Sequence, residues 1–386
     1  MNRRAAGTIR RSQGWRGGTV GFVAALMLLG LSVAGCASRL DGAGYYWQSI
    51  SGHLDLMRAG RPIDDALADP LTAGELRDKL AYAVRAREFA SAELGLPRNG
   101  SYTRYAPLDR DHVLWNVFAT PELSLQLERW CFPVAGCIAY RGYYAKQDAE
   151  AFARSLAARG MDVQVGGVPA YSTLGWFDDP LPSPVLRFPS PEIARLIFHE
   201  LAHQVVYVKG DSTFNESFAT AVERLGMTRW LAHREARGDP PGVREQHDLL
   251  TQRKQAFVAL LRQTREALQS LYASGASDDD KRQGKKAVFD GLRERYQVLR
   301  RDAWNGWGGY DRWFDRPLGN AHLAAVGAYH DRVPAFEALF HAHGEDLAGF
   351  YEQVRLLAGL PRAERDQRLD ALAAGRPPGA PAPGGR

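Results

Sequence analysis

Two histidines and a glutamate that could act on one metal ion lie close together near the middle of the chain. They are His199, Glu200 and His203, in the sequence FHELAHQ. On a helix, residues four apart lie on one face, so both imidazoles could bind a single ion. Zn²⁺ accepts imidazole nitrogens and needs a third protein ligand in a catalytic site. Glu200 could reach a water on that ion without being a ligand, and would then act as general base.

The surrounding sequence predicts a largely buried helix for these three residues. Ser190 is a good N-cap, Pro191 suits the first helical position, and Glu192 favours a helix N-terminus. The flanking segments LIF and QVVYV are apolar. Two histidines and a carboxylate on a buried helix cost free energy unless a partner satisfies them. A metal site is therefore favoured over the alternative, a pair of hydrogen-bonded core histidines.

The third ligand is expected on a second helix that returns towards the first. Glu216 lies thirteen residues after His203, and the segment KGDS at 209–212 supplies the turn between them. Glu223 lies two turns further on the same face and could hold the N–H of a ligand histidine. The alternatives are that Glu216 is a helix cap or a surface carboxylate, with Glu223 or His233 as the ligand, and that Glu223 forms an exposed salt bridge.

If the substrate is a peptide, hydrolysis at such a site would also need a donor for the oxyanion and a strand edge for the substrate backbone. Tyr329 is the candidate for the donor, with His322, Tyr207 and His330 as alternatives. The segment 170–177 is expected to be the strand, because its small and alternating residues suit an edge. The alternative for that segment is an ordinary core strand.

The first 35 residues have the layout of an export signal. Five arginines precede an apolar run from Val20 to Gly35, which is short for a spanning helix. The ending VAGC resembles the lipobox of bacterial lipoproteins, which implies cleavage and acylation at Cys36. The residue directly after Cys36 is not Asp, and by the same resemblance this favours outer-membrane sorting. An uncleaved anchor helix is the alternative.

The two other cysteines and the distribution of charge are consistent with an exported protein. In an oxidising periplasm we expect Cys131 and Cys137 to pair, with two buried thiols as the alternative. The net charge is +5, but residues 1–35 hold five arginines and no Lys, Asp or Glu. Without them 44 basic residues face 44 acidic ones. The excess of positive charge thus belongs to the export signal, and we expect no nucleic-acid partner.

Composition and periodicity predict an α+β fold that is predominantly helical. Hydrophobic residues are 45% of the chain, which excludes overall disorder, and the mean hydropathy of −0.34 excludes a polytopic membrane protein. One domain is expected over 36–374, with a helical hairpin arm at 243–302. The proline- and glycine-rich residues 375–386 are expected to form a disordered tail.

Two motifs, HELAHQ and NESFATAVERLG, together resemble the gluzincin zinc peptidases. They are especially similar to the aminopeptidase N kind, which reads HELAHQ…NEGFA. With the lipoprotein signal, CFPVAGC and YSTLGWFDDP, the chain also resembles a less studied family of zinc aminopeptidases of bacterial envelopes. The resemblance implies a zincin-like peptidase domain over 36–374, with zinc ligands at His199, His203 and Glu216 and with Glu200 as base.

The chain departs from the aminopeptidase N pattern in ways that affect substrate preference. The spacing from His203 to Glu216 is shorter, Ser217 replaces a Gly, and the GxMEN-type segment that recognises a free amine is missing. An envelope-anchored zinc aminopeptidase is the leading hypothesis. A zinc endopeptidase acting on envelope proteins and a non-catalytic zinc-binding lipoprotein are the alternatives. Glu200 argues against the last, because a structural site needs no base.

Overall fold

The structure is a computed structural model that describes residues 37–132, 136–239, 242–330 and 332–375. The side chains of 37–43 and 327–330 are outside the described part. Judged by its internal contacts, the chain consists of two compact units, residues 1–50 and 51–386. The predicted export signal with Cys36, and residues 376–386 of the predicted tail, lie outside the described residues.

The described chain is predominantly helical, with small sheets, as expected for an α+β fold. Its helices are α1 (Ala37–Ala59), α2 (Ile63–Ala68), α3 (Gly74–Ala92), α4 (Lys146–Ala157), α5 (Ser190–Ala202), α6 (Ser212–Glu235), α7 (Val243–Ala273), α8 (Asp278–Val298), α9 (Asp311–Phe314), α10 (Asn320–His330), α11 (Val333–Ala342), α12 (Leu347–Ala358) and α13 (Arg362–Ala373). Among the residues described, none of these helices has the length and apolar character needed to span a membrane.

The strands form three small sheets. Their bounds are β1 (Arg61–Pro62), β2 (Arg104–Ala106), β3 (Leu114–Pro121), β4 (Trp130–Phe132), β5 (Gly136–Ile138), β6 (Arg141–Tyr143), β7 (Met161–Val168) and β8 (Leu181–Pro182). One sheet has the order β1-β2-β8, with β2 and β8 parallel, and another has the antiparallel order β6-β3-β7. Strands β4 and β5 pair with each other, and a disulfide joins the facing residues Cys131 and Cys137.

The main hydrophobic core surrounds the two helices that carry the predicted chemistry. Helices α5 and α6 pack against each other, and α3, α10 and α11 pack on them. Phe198 of α5 is fully buried, as are Phe218 of α6 and Phe336 of α11. Burying side chains of this size contributes about 1.5–3 kcal/mol each, so this core holds the two helices firmly.

Helices α7 and α8 make up most of the segment 243–302 predicted as a hairpin arm, and they pack against each other. They have their own apolar cluster, which includes Phe257, Leu268, Leu292 and Tyr296. Trp304 completes the cluster from the segment after α8. Helix α7 also contacts α10, so the pair is not isolated from the rest of the second unit.

The segment 170–177 is not a strand, contrary to the sequence prediction. Strand β7 ends at Val168, and the backbone turns at Leu174 (φ 59°) and Gly175 (φ 81°), which are both left-handed. The N–H of Trp176 donates to the carbonyl of Thr173 (3.2 Å). Two successive left-handed residues are incompatible with an extended strand. This segment therefore offers no strand edge to a substrate.

Candidate metal centre

Helix α5 places His199 and His203 one turn apart on a single face. The helix begins at Ser190, with Pro189 rather than Ser190 at the N-cap and no side-chain capping bond. Its last turn ends at His203, whose N–H donates to the carbonyl of His199 (3.4 Å). The two ring centres are 4.9 Å apart. The Leu196, Ile197 and Phe198 side chains are buried in the core, so the helix is held by its apolar face.

A tight return between α5 and α6 brings Glu216 back to this face. Gly210 is left-handed (φ 80°), and Asp211 caps α6 by accepting from the N–H of Phe214 (3.1 Å). The side-chain amide of Asn215 bonds both the N–H (2.7 Å) and the C=O (2.9 Å) of Val208. These bonds fix the residue immediately before Glu216 against the turn.

Sequence reasoning missed the residues that support this turn. Asp211 forms an ion pair with Arg365 of α13 at 2.6 Å, and both side chains are about 5% exposed. Arg129 bonds the carbonyls of Gly210 and Cys137, which ties the disulfide-bonded β4–β5 pair to the same turn. The Asn in the NES triplet was the available signal for Asn215, whereas Arg365 lies more than 150 residues away.

The three predicted ligands converge. Nε2 of His199 lies 3.3 Å from Oε2 of Glu216, and Nε2 of His203 lies 3.7 Å from the same oxygen. One possible ligand atom from each residue lies within 4.8 Å of the other two, and this is the one such group that the described residues form. Two imidazole nitrogens and a carboxylate oxygen, largely buried around one point, are a donor set that fits a transition-metal ion.

Glu223 lies behind His199 and is buried rather than exposed. Its Oε2 is 2.9 Å from Nδ1 of His199 and also accepts from Arg195 (2.9 Å). An N–H at Nδ1 that donates to Glu223 leaves the lone pair of Nε2 directed at the metal position. His233, the other alternative for a ligand, stacks on Trp230 (5.8 Å) and is not part of the group.

The buried ionisable groups at the centre shift one another's pKa values. Burial lowers the pKa of His199, but hydrogen bonds to Glu216 and Glu223 outweigh it and raise that pKa to about 10. Burial opposes ionisation of Glu216, yet both histidines lower its pKa to about 2. Burial raises the pKa of Glu200, although the two histidines partly offset it. A metal ion and a proton bind the same Nε2 lone pair of His199. The carboxylates that favour its protonation therefore also favour binding of a metal ion.

Helix α7 of the predicted arm contacts the centre through Glu223. Lys254 of α7 places its Nζ 3.7 Å from Oε1 of Glu223. A cavity of about 710 Å³ opens between α5, α6 and α7, and Arg195, Glu223 and Lys254 are among its lining residues. The cavity adjoins the residue that orients His199 rather than the three ligand atoms themselves.

The candidates for an oxyanion donor occupy different places. The side chain of Tyr329, and that of His330, lie outside the described part, although their helix α10 packs on α6. Tyr207 is near the centre: burial and the Glu216 carboxylate both raise the pKa of its phenol. His322 is buried at the arm cluster, where its Nδ1 accepts from the N–H of Gly319 (3.1 Å).

A comparison with protein families identifies the group to which the chain is related. The family model described as "Putative aminopeptidase" matches residues 44–369, which is most of the chain and includes every residue of the centre. The chain belongs to this family. Membership of an aminopeptidase family supports peptide hydrolysis as the activity and peptides as the substrates. No curated protein and no solved structure matches the chain.

Proposed function

We propose that this member of the aminopeptidase family is a zinc-dependent peptidase of the gluzincin type, with a zincin-like core. The convergence of His199, His203 and Glu216, with Glu200 on the same helix, carries the proposal. Zinc is the metal proposed because it favours two imidazoles and one carboxylate with an open position. A zinc ion held there would polarise the scissile carbonyl and lower the pKa of water towards about 7.

In the proposed mechanism, the protein residues orient the reactants and move one proton. Glu200 accepts a proton from the attacking water and delivers it to the leaving amine. Glu223 holds the Nδ1–H of His199, and Arg195 keeps Glu223 ionised. Tyr207 is the described phenol near Glu216 and is proposed, beside Tyr329, as a donor to the oxyanion.

A chelator experiment tests the metal dependence. We expect the purified protein to hydrolyse aminoacyl-anilides, to lose that activity when dialysed against a chelator, and to regain it when stoichiometric zinc is added. Internally quenched peptides with blocked ends, assayed in parallel, detect endopeptidase activity. Full activity in the dialysed protein, with no metal found by mass spectrometry, would disprove a metallopeptidase.

We also propose that the protein is exported and anchored through acylated Cys36, facing the periplasm from the outer membrane. The basic segment, the apolar run and the VAGC ending support this proposal. We expect Cys36→Ser to abolish labelling by radioactive palmitate. A change of Ala37→Asp should retain the label but move the protein to the inner-membrane fraction. A Cys36→Ser protein that stays in the membrane with an intact N-terminus would indicate an anchor helix instead.

A further inference from the structure

Asp179 is a buried carboxylate with one oxygen unused. Its side chain is 2% exposed, and its Oδ2 accepts from the N–H (2.7 Å) and the hydroxyl (2.9 Å) of Thr173. Its Oδ1 is buried and has no hydrogen-bond partner among the described residues. A buried carboxylate oxygen without a partner costs free energy, and such an atom calls for an explanation such as a ligand.

Tyr102 lies beside Asp179 with a strained backbone. It is fully buried and left-handed (φ 63°), and its N–H donates to the carbonyl of Asp179 (2.6 Å). Burial and the charges of Glu200 and Asp179 raise the pKa of its phenol, Ser172 lowers that pKa, and the hydroxyl forms no hydrogen bond of normal geometry among the described residues. Left-handed conformations of bulky residues are rare and are often retained at functional sites.

Burial and the negative charges of Glu200 and Asp178 raise the pKa of Asp179 to about 6, although its hydrogen bonds from Thr173 oppose this shift. Asp178 is exposed and turns away, accepting from the N–H of Gly100 (3.0 Å).

Asp179 and Tyr102, joined through their backbones, thus each carry a buried oxygen without a hydrogen-bond partner among the described residues. Gln204, which follows His203, bonds Asn99 (2.7 Å) and Ser101 (3.2 Å). The segment that leads into Tyr102 therefore contacts the end of the metal-centre helix, where a positive group would be stabilised by the carboxylates.

An ammonium group fits these two oxygens better than a second metal ion. The group of residues that can share a metal in the described chain is His199, His203 and Glu216, and Asp179 does not join it. An ammonium carries N–H donors, which can bond one carboxylate oxygen and one hydroxyl at the same time. In an aminopeptidase, the substrate's free amino terminus is the cation that must lie near the general base.

We propose that Asp179, together with the Tyr102 hydroxyl, binds the free α-ammonium of the substrate and so determines amino-terminal specificity. This inference rests on the proposed function. It assigns to these two residues the recognition of the free amine, for which the chain has no GxMEN-type segment. The turn Thr173–Phe177 closes over Asp179, and Gly175, Trp176 and Phe177 are exposed. Because Asp179 is buried, the proposal requires this turn to move outward before a substrate can reach it.

The test compares two substrates that differ in one charge. An aminoacyl-anilide is assayed with a free and with an N-acetylated amino group, so that the same anilide bond is cleaved in both, on the full-length protein and three variants. We expect the wild type to prefer the free amine. Asp179→Asn should lower kcat/KM for the free-amine substrate roughly 100-fold, mainly through KM, because a buried charge-assisted bond is lost. Its kcat/KM for the acetylated substrate should stay unchanged.

Two further variants guard the interpretation. Tyr102→Phe removes an unpartnered buried hydroxyl, so we expect it to fold at least as stably as the wild type yet show a raised KM for the free amine alone. It tests the proposal even if Asp179→Asn does not fold. Asp178→Asn, the matched control, removes the neighbouring exposed charge and should change the preference less than about twofold.

The outcomes separate this inference from the proposed function. If the wild type cleaves both substrates equally well, or if Asp179→Asn and Tyr102→Phe keep the wild-type preference, the ammonium site is wrong and peptide hydrolysis still stands. If a zinc-loaded wild type cleaves neither substrate, the proposed function fails and this inference fails with it. Equal losses on both substrates would show that Asp179 supports the site structurally, and would also overturn the assignment.

Discussion

Glu200→Gln is expected to leave a folded, metal-loaded protein whose kcat falls between about 100- and 10,000-fold, the range that general-base catalysis contributes. Glutamine matches the shape of glutamate but cannot take a proton from water. The side chain lies on α5 beside His199 and His203, but it does not belong to the converging ligand group. The metal content should therefore stay near that of the wild type.

The measurement combines steady-state kinetics on an aminoacyl-anilide with metal analysis of the same sample. Glu192→Gln is a matched control, because it makes the same change on the same helix at a residue whose partner is Arg195. It should keep kcat within about threefold. If Glu200→Gln were as active as the wild type on every substrate of the panel, the enzyme hypothesis would be abandoned.

Glu216→Gln is expected to reduce zinc affinity by several orders of magnitude and to abolish hydrolysis with it. The change removes the anionic donor from a buried group of three, and Glu216 is held in its ionised form by the two histidines. Because binding to the folded state stabilises it, zinc should raise the Tm of the metal-free wild type but not that of the variant. Competition with a chromophoric chelator measures the affinity directly.

Glu223→Gln provides the graded comparison for this variant. Glu223 contacts Nδ1 of His199 and is not one of the three converging donors, so we expect a loss of zinc affinity of about 10- to 100-fold. The order of affinities should be wild type, then Glu223→Gln, then Glu216→Gln. Wild-type affinity in Glu216→Gln would mean that Glu216 is not a metal ligand, and the proposed centre would be wrong.

Local sequence signals were sufficient where neighbours along the chain determine the structure. The helix of His199 and His203 follows from apolar flanks and a proline near its start, and the structure has it at Ser190–Ala202. Glu216 comes within reach of both histidines because only a short turn separates α5 from α6. Its position thus follows from spacing, since a glycine turn and a capping Asp are readable in sequence.

Contacts between distant segments were not readable in this way. The segment 170–177 alternates like a strand, yet it turns, because Asp179 binds Thr173 and the backbone of Tyr102 binds Asp179. Asp211 meets Arg365 across 154 residues of sequence. Such pairings depend on how α5, α6 and their neighbours pack, and no local periodicity encodes them.

The sequence by itself thus determined the residues that can do the chemistry, their helices and the predominantly helical fold. Only the tertiary structure decided what surrounds them: Glu223 is buried against His199, and burial and the charge of Glu200 raise the pKa values of Asp179 and Tyr102. The physical reason is that helix periodicity and turns act over a few residues. Burial and electrostatic coupling arise between segments that meet only once the core has formed.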